Sequence, residues 1–220
     1  MAYRRTERVL KHLAARHDAI IAAARLIAAE SGLGAVQILP VAERAGIAAG
    51  TVYRYFPAKT DLVEALIGSV SGHEITALRE AADAAPGPLS ALAAGLVTFA
   101  ARALRNRRLA WAVSGEPVDA AIDGLRLASR KTLAAEIETL IRAAIAGGHL
   151  PEQDTAVAAA ALVGVLLEGL IGPLAPLVDA DKVRENVQAL TLLALRALGV
   201  VDARARGLVV QTAIPEQVGA

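Results

Sequence analysis

Three of the six aromatic residues in this 220-residue chain, Tyr53, Tyr55 and Phe56, fall within four positions, with Arg54 among them and Lys59 just beyond. Phenolic hydroxyls and a lysine ammonium at this spacing suit contact with phosphate oxygens, which fixes position on a nucleic acid without reading its sequence. The residues just before them are small. Gly50 removes bulk where a backbone would approach a base edge, and Thr51 offers both a hydroxyl and a methyl. Val52 and Phe56 lie one helical turn apart and can face inward. That leaves Ala49, Gly50, Thr51, Tyr53, Arg54 and Tyr55 on the outer faces of the same short helix. The competing use of Tyr53 and Tyr55 is plain packing in a compact bundle.

The surrounding punctuation says how such a helix would be held. Apolar spacing predicts a helix from Thr6 to Glu30, with Val9, Leu13, Ile20, Ala24 and Ile27 at helical intervals, ended by Ser31-Gly32-Leu33-Gly34. A short helix is predicted from Pro40 to a left-handed cap at Gly46, a second over 48–56 broken by Pro57, and a long one from Lys59 to the Pro86–Pro88 break. Two short helices joined at Gly46-Ile47, with small Ala42 and Ala45 allowing close approach, make a helix-turn-helix. Its second helix is of a size to enter a DNA major groove. Charge is divided accordingly. Residues 1–60 hold nine Lys/Arg against four Asp/Glu, a net +5, and the remaining 160 residues carry −4 in a chain whose total is +1. A basic head on an acidic body fits a polyanion partner for the head. Arg4, Arg5, Arg8 and Lys11 can track a phosphate backbone, enter a minor groove, or simply be solvated.

The segment VAERAGIAAGTVYRYFPAKTDLVEALI resembles the DNA-binding segment of the TetR family of bacterial transcriptional regulators. Val41-Ala42, Ala45-Gly46-Ile47, Gly50-Thr51-Val52-Tyr53, Tyr55-Phe56 and Lys59 match the family pattern in order, and the likeness covers roughly residues 17–67. It implies phosphate contacts by Tyr53, Tyr55 and Lys59, and a base-facing surface from Thr51 and the Ala49-Gly50 backbone. The DNA-facing set is then Gln37, Ala48, Ala49, Gly50, Thr51, Tyr53, Arg54, Tyr55 and Lys59. The chain departs from the pattern at Gln37, Leu39, Pro40, Ala48, Ala49 and Ala58, where the family often carries capping or charged side chains. Base reading would lean on Thr51, on apolar contact with thymine methyls and on DNA shape.

The rest of the chain sets the fold class. Hydrophobic residues make up 55% and aromatics 3%, so the apolar content is mostly Ala, Leu, Val and Ile, and an all-α protein is expected. Further helices are predicted at about 89–106, 108–113, 118–146, 154–172 and 181–198. The division expected is a basic arm and helix-turn-helix over 1–60, a helical effector-binding and dimerisation unit over 61–200, and a mixed, at most partly ordered tail over 201–220. Without cysteine there is no disulfide, thiolate metal site or thiol nucleophile. The charged start has no apolar signal core, which points to the cytoplasm. His12, His17, His73 and His149 lack metal-ligand spacing, Ser114, Glu116 and Asp119 have no histidine nearby, and no nucleotide or metalloprotease motif occurs, so neither catalysis, cofactor nor metal is expected.

Residues 155–178 carry one charge, Glu168, in an apolar run. Glu168, Pro173 and Pro176 favour a buried or interface helix over a bilayer span. In the family the last two main helices of two subunits form a four-helix dimer interface. Small residues Ala156, Ala159, Ala160, Val163, Gly164 and Leu167, and the stripe Val183, Val187, Leu190, Leu193, Ala194 and Ala197, are compatible with that. A two-fold dimer would set two recognition helices about 34–36 Å apart on a pseudo-palindromic site. The resemblance also implies an effector pocket in the body, with Leu96, Phe99, Ala103, Trp111 and Leu125 as candidate lining and packing as their other role. Arg107 and Arg108 can pair with Glu116 and Asp119 or meet an acidic effector. The function expected is a dimeric, ligand-responsive DNA-binding repressor, in which effector binding tilts the helix from Lys59 and changes the separation of the heads. An all-α small-molecule carrier or enzyme with weak DNA binding, and a membrane-associated helical protein, are the alternatives.

Overall fold

The computed structural model describes residues 2–118, 120–177 and 179–215, without the side chains of residues 2–8 and of Ala180. The described residues form ten α-helices and contain no strand. They are α1 (Ala2–Ser31), α2 (Ile38–Ala45), α3 (Ala49–Tyr55), α4 (Lys59–Asp83), α5 (Pro88–Arg105), α6 (Arg107–Ser114), α7 (Ala120–Ala146), α8 (Thr155–Leu170), α9 (Val183–Ala197) and α10 (Asp202–Gln211). The chain is all-α.

Local chemistry places most of the boundaries. At the end of α2, Gly46 turns left-handed (φ 66°), and the Gly46 and Ile47 N–H groups donate back to the Glu43 and Ala42 carbonyls at 3.1 and 3.0 Å. A residue with a Cβ would be strained there, and the paired bonds satisfy two of the last carbonyls of α2. α2 begins two residues before Pro40, which sits within its first turn, where a missing N–H costs nothing. Ala58 cannot cap α4 with its side chain. The Asp61 carboxylate instead accepts from the Ala58 N–H at 2.9 Å and adds negative charge at the helix N-terminus. Asp154 caps α8 by accepting from the Ala156 and Val157 N–H groups, both at 3.0 Å.

Two cores result. The head core gathers Ile20, Ala24 and Ile27 of α1, Leu33, Val36, Val41 and Ala42, then Val52 and Phe56 of α3, and Leu62, Leu66 and Val70 of α4. Leu109, Ala112 and Val113 of α6 and Ile122 of α7 belong to it as well. The body core runs from Leu78 of α4 through α5, α7, α8 and α9 to Ala205 and Val209 of α10. α4 therefore links the cores as one continuous helix, and α6 lies on α1 although it follows α5 in sequence.

Two sequence expectations are corrected, and the tail is partly helical. Val9 and Leu13 have exposed side chains, and the buried residues of α1 start at Ile20. The stripes expected on α8 and α9 are split: Ala159, Val163, Val187 and Ala194 face the body core, while Val157, Ala160, Gly164, Ala189, Leu193 and Ala197 face outward. Within the tail, Asp202–Gln211 form α10, which buries Ala205 and Val209 and is held by Arg196 and Arg206 on Asp202. Hydrogen bonds from Arg206 and Arg196 hold the Asp202 carboxyl below its usual range. Among the described residues no helix is long and apolar enough to cross a membrane.

Candidate functional site

The aromatic cluster divides by face. Phe56 is buried in the head core, and His17 of α1 packs on it with ring centroids 5.4 Å apart. Tyr55 is half-buried at the same junction, 6.4 Å from the His17 ring, and its hydroxyl donates to the Leu13 carbonyl at 3.3 Å. This bond ties α3 to α1. Tyr53 is 51% exposed, and Arg54 beside it is exposed. Ala48, Gly50 and Gln37 are exposed, and Ala49 and Thr51 are half-buried. The Gln37 amide and the Lys59 ammonium both point to the Gly34 carbonyl, at 3.1 and 3.5 Å. The turn before α2 and the start of α4 thereby meet on one carbonyl.

Charge on the head is not evenly available. Arg44 forms a two-pronged pair with Glu30, with N···O distances of 2.8 and 2.5 Å, joining α2 to the end of α1. The pair holds the Glu30 carboxyl below the usual carboxylate range and raises the Arg44 pKa. Arg44 is thus a structural cation, whereas Arg54 and Tyr53 stand exposed on α3 itself. The side chains of Arg4, Arg5 and Arg8 lie outside the described residues.

The body holds a cavity between α4, α5, α6, α7 and α8, with about 710 Å³ of empty space, part of it open to solvent. Of the residues expected to line a pocket, Phe99 and Ala103 do so. Leu96 is buried in the body core instead. Trp111 folds against Gly115 at the end of α6. Leu125 is half-buried on α7 and is not part of the cavity wall. The polar groups on the wall include Glu74, Arg102, Arg126 and Arg130. Glu74 and Arg102 form a two-pronged pair at 2.6 and 3.0 Å, and this hydrogen bond raises the Arg102 pKa.

Arg126 and Glu116 carry roles that the sequence does not suggest. Arg126 is 5% exposed. Its guanidinium donates to the carbonyls of Ala112, Val113 and Glu116 at 2.7, 3.0 and 2.5 Å. It closes the end of α6, where unpaired carbonyls and the negative end of the helix dipole favour a cation. Burial lowers its pKa, with Asp123 at 3.5 Å acting in the opposite direction. The Glu116 carboxylate crosses to the head, where it accepts from the Leu33 N–H at 2.7 Å, next to Gly32 (φ 85°, ψ 172°). The ion network expected between Arg107, Arg108 and Glu116 is replaced. Arg107 donates to the Ala175 and Pro176 carbonyls at 3.1 and 2.7 Å, Arg108 is exposed, and Asp119 lies outside the described residues. The Glu116 and Arg107 contacts join residues dozens of positions apart, so no local pattern announces them.

Comparison with known proteins places this architecture. Residues 20–66 match the family of bacterial regulatory proteins, tetR family. Over 53 residues the chain is 47% identical to the HTH-type transcriptional repressor KstR of Mycolicibacterium smegmatis, covering 24% of this chain and 26% of that protein. The corresponding repressor of Mycobacterium tuberculosis is 45% identical over 53 residues, 24% of each chain. The match thus spans about a quarter of the length of these curated relatives. The whole architecture is similar to the SmeT–triclosan complex, with TM-score 0.70, 21% identity and coverage of 94% of this chain and 100% of that one. It is also similar to RolR in complex with resorcinol, with TM-score 0.64, 23% identity and coverage of 93% and 98%. Those likenesses establish the fold of the head and body together. The helix-turn-helix head, residues 20–66, is thus similar to that of the tetR family of bacterial regulatory proteins.

Proposed function

We propose that this chain is a ligand-responsive transcriptional repressor that acts in the cytoplasm and binds a pseudo-palindromic operator as a homodimer. The observation that carries the reading is α3, whose apolar side is locked into the head by Val52 and Phe56 while Gly50, Tyr53 and Arg54 stand exposed. Tyr53, Arg54 and Lys59 contact phosphates, Tyr55 supports them from its bond to α1, and Thr51 with the Ala48-Ala49-Gly50 backbone faces the bases, flanked by Gln37. Residues 1–60 form the DNA-binding unit, 61–200 the effector and dimerisation unit, and 201–220 a tail. The dimer forms through the outward faces of α8 and α9, where Val157 and Leu193 are 65% and 55% exposed. The named ligands of SmeT and RolR, triclosan and resorcinol, support an effector role for the body cavity. Effector and operator then weaken each other's binding by linkage.

The test is binding to palindromic DNA from beside the chain's own gene, across a salt series. Tyr53→Ala and Lys59→Ala are expected to weaken binding about tenfold each, and loss of the Lys59 contact flattens the salt slope by about 0.9 per site. Unchanged affinity in both variants would remove the DNA assignment and leave the carrier reading in its place.

A further inference from the structure

The cavity wall carries an unequal charge. Among the described residues, its one pair of opposite charges is Glu74 with Arg102. Arg126 and Arg130 remain, both from α7 and one helical turn apart. Arg126 is consumed by the three carbonyls and by Asp123. Arg130 differs: it is exposed, and its guanidinium, which has five N–H donors, makes one bond among the described residues, to the Ser114 carbonyl at 2.7 Å. Much of the remaining wall is apolar, with Phe99, Leu133, Leu167 and Ile171. An uncharged apolar guest would leave Arg130 as it is, and a cationic guest would meet net positive charge at close range. An anion with an apolar body satisfies both parts of the wall.

We propose that the cavity takes an amphipathic organic anion, with its apolar body against Phe99, Leu133, Leu167 and Ile171 and its anionic end on Arg130. This rests on the effector reading of the cavity and names the class of effector. It also carries a route to the head. The Ser114 carbonyl that Arg130 holds ends α6 and leads into the turn to α7, two residues before Glu116, whose carboxylate caps the head at Leu33. A guest carboxylate competes with that carbonyl for Arg130, as a charge-assisted bond outcompetes a neutral one. The turn that carries Glu116 loses one of its fastenings, while Arg126 keeps the end of α6 closed.

Trp111, the single tryptophan, packs against Gly115 in this turn and reports on it directly. The experiment is a Trp111 fluorescence titration of the full chain, below micelle concentrations, with decanoate, decan-1-ol, decylamine and the aromatic anion 1-anilinonaphthalene-8-sulfonate. Expected are saturable binding of the two anions and at least tenfold weaker binding of the alcohol and the amine. Arg130→Gln should erase the anion preference and leave the affinity for the alcohol unchanged, and Arg130→Lys should retain part of it. Equal affinity for alcohol and decanoate, preference for the amine, an anion preference that survives Arg130→Gln, or no saturable binding by any probe overturns the proposal. No DNA enters the titration, so the ligand class is decided even for a chain that fails to bind an operator.

Discussion

Replacing Gly32 by alanine probes the contact between head and body from both sides at once. Gly32 has φ 85° and ψ 172°, a region closed to nearly all residues with a Cβ, and holding alanine there costs about 1–3 kcal/mol. The new Cβ would stand 2.6 Å from Glu116 Oε1 and 3.0 Å from Oε2, so the carboxylate must leave the Leu33 N–H that it accepts from at 2.7 Å. A hydrogen bond to a charged group contributes about 1.5–3 kcal/mol. The expected loss for Gly32→Ala is therefore about 2.5–6 kcal/mol, and for Glu116→Ala about 1.5–3 kcal/mol. In the double variant the bond is lost once, not twice, so the total falls short of the sum by about 1.5–3 kcal/mol. Equilibrium urea unfolding of the four proteins, followed by far-ultraviolet dichroism and Trp111 fluorescence, measures this coupling. Additivity within about 0.5 kcal/mol, or an unchanged midpoint for Glu116→Ala, refutes the claim that Glu116 fastens the body to the head.

Arg126→Met leaves the Ala112, Val113 and Glu116 carbonyls without their shared donor and is expected to cost about 3–5 kcal/mol in urea unfolding. Val157→Glu with Leu193→Glu, both on outward faces, should leave helicity intact and convert the proposed dimer to a monomer in light scattering after size exclusion. Acid should weaken the fold with a definite sign. The Arg79 hydrogen bond holds the Glu136 carboxyl below its ordinary range. Its contribution is therefore full above the unfolded pKa of about 4.3 and is lost as pH falls through the lower folded value. Glu136→Gln should flatten the fall in unfolding midpoint between roughly pH 5 and 3, which a thermal melt series checks.

The head was legible because its information is short-range. The left-handed cap at Gly46, the pairing of Val52 with Phe56 and the break at Pro57 each depend on residues within a turn or two, and the two short helices formed within one to two residues of the predicted ends. The division between Tyr53 and Tyr55 was not legible, since both are outward by spacing. What separates them is the Leu13 carbonyl, 42 positions earlier, which Tyr55 reaches and Tyr53 does not. In α8 and α9 the pattern failed for a different reason. These helices are apolar on more than one side, so periodicity alone could not tell the face on the core from the face on solvent. The tail concealed α10 because Ala205 and Val209 are its only buried residues and Gly207 lies between them; the pairing of Arg196 and Arg206 on Asp202 supplies what propensity does not.

The placement of α6 gives the head and body their relation. Its apolar residues Leu109, Ala112 and Val113 are part of the head core, so moving α6 away from α1 would expose them. Its end is closed by Arg126 and touched by Arg130, both of α7, so moving α6 away from α7 would strip carbonyls of their donors. At Leu109, Val113 and Ser114 it also forms part of the cavity wall. A guest that displaces α6 therefore cannot do so at the expense of the body alone. The less costly outcome is for the head to follow α6 as a unit, because the apolar contacts between α1 and α6 survive a rigid shift and the single Glu116 bond to Leu33 can yield. α4, which enters both cores without a break, would be the hinge arm for that shift.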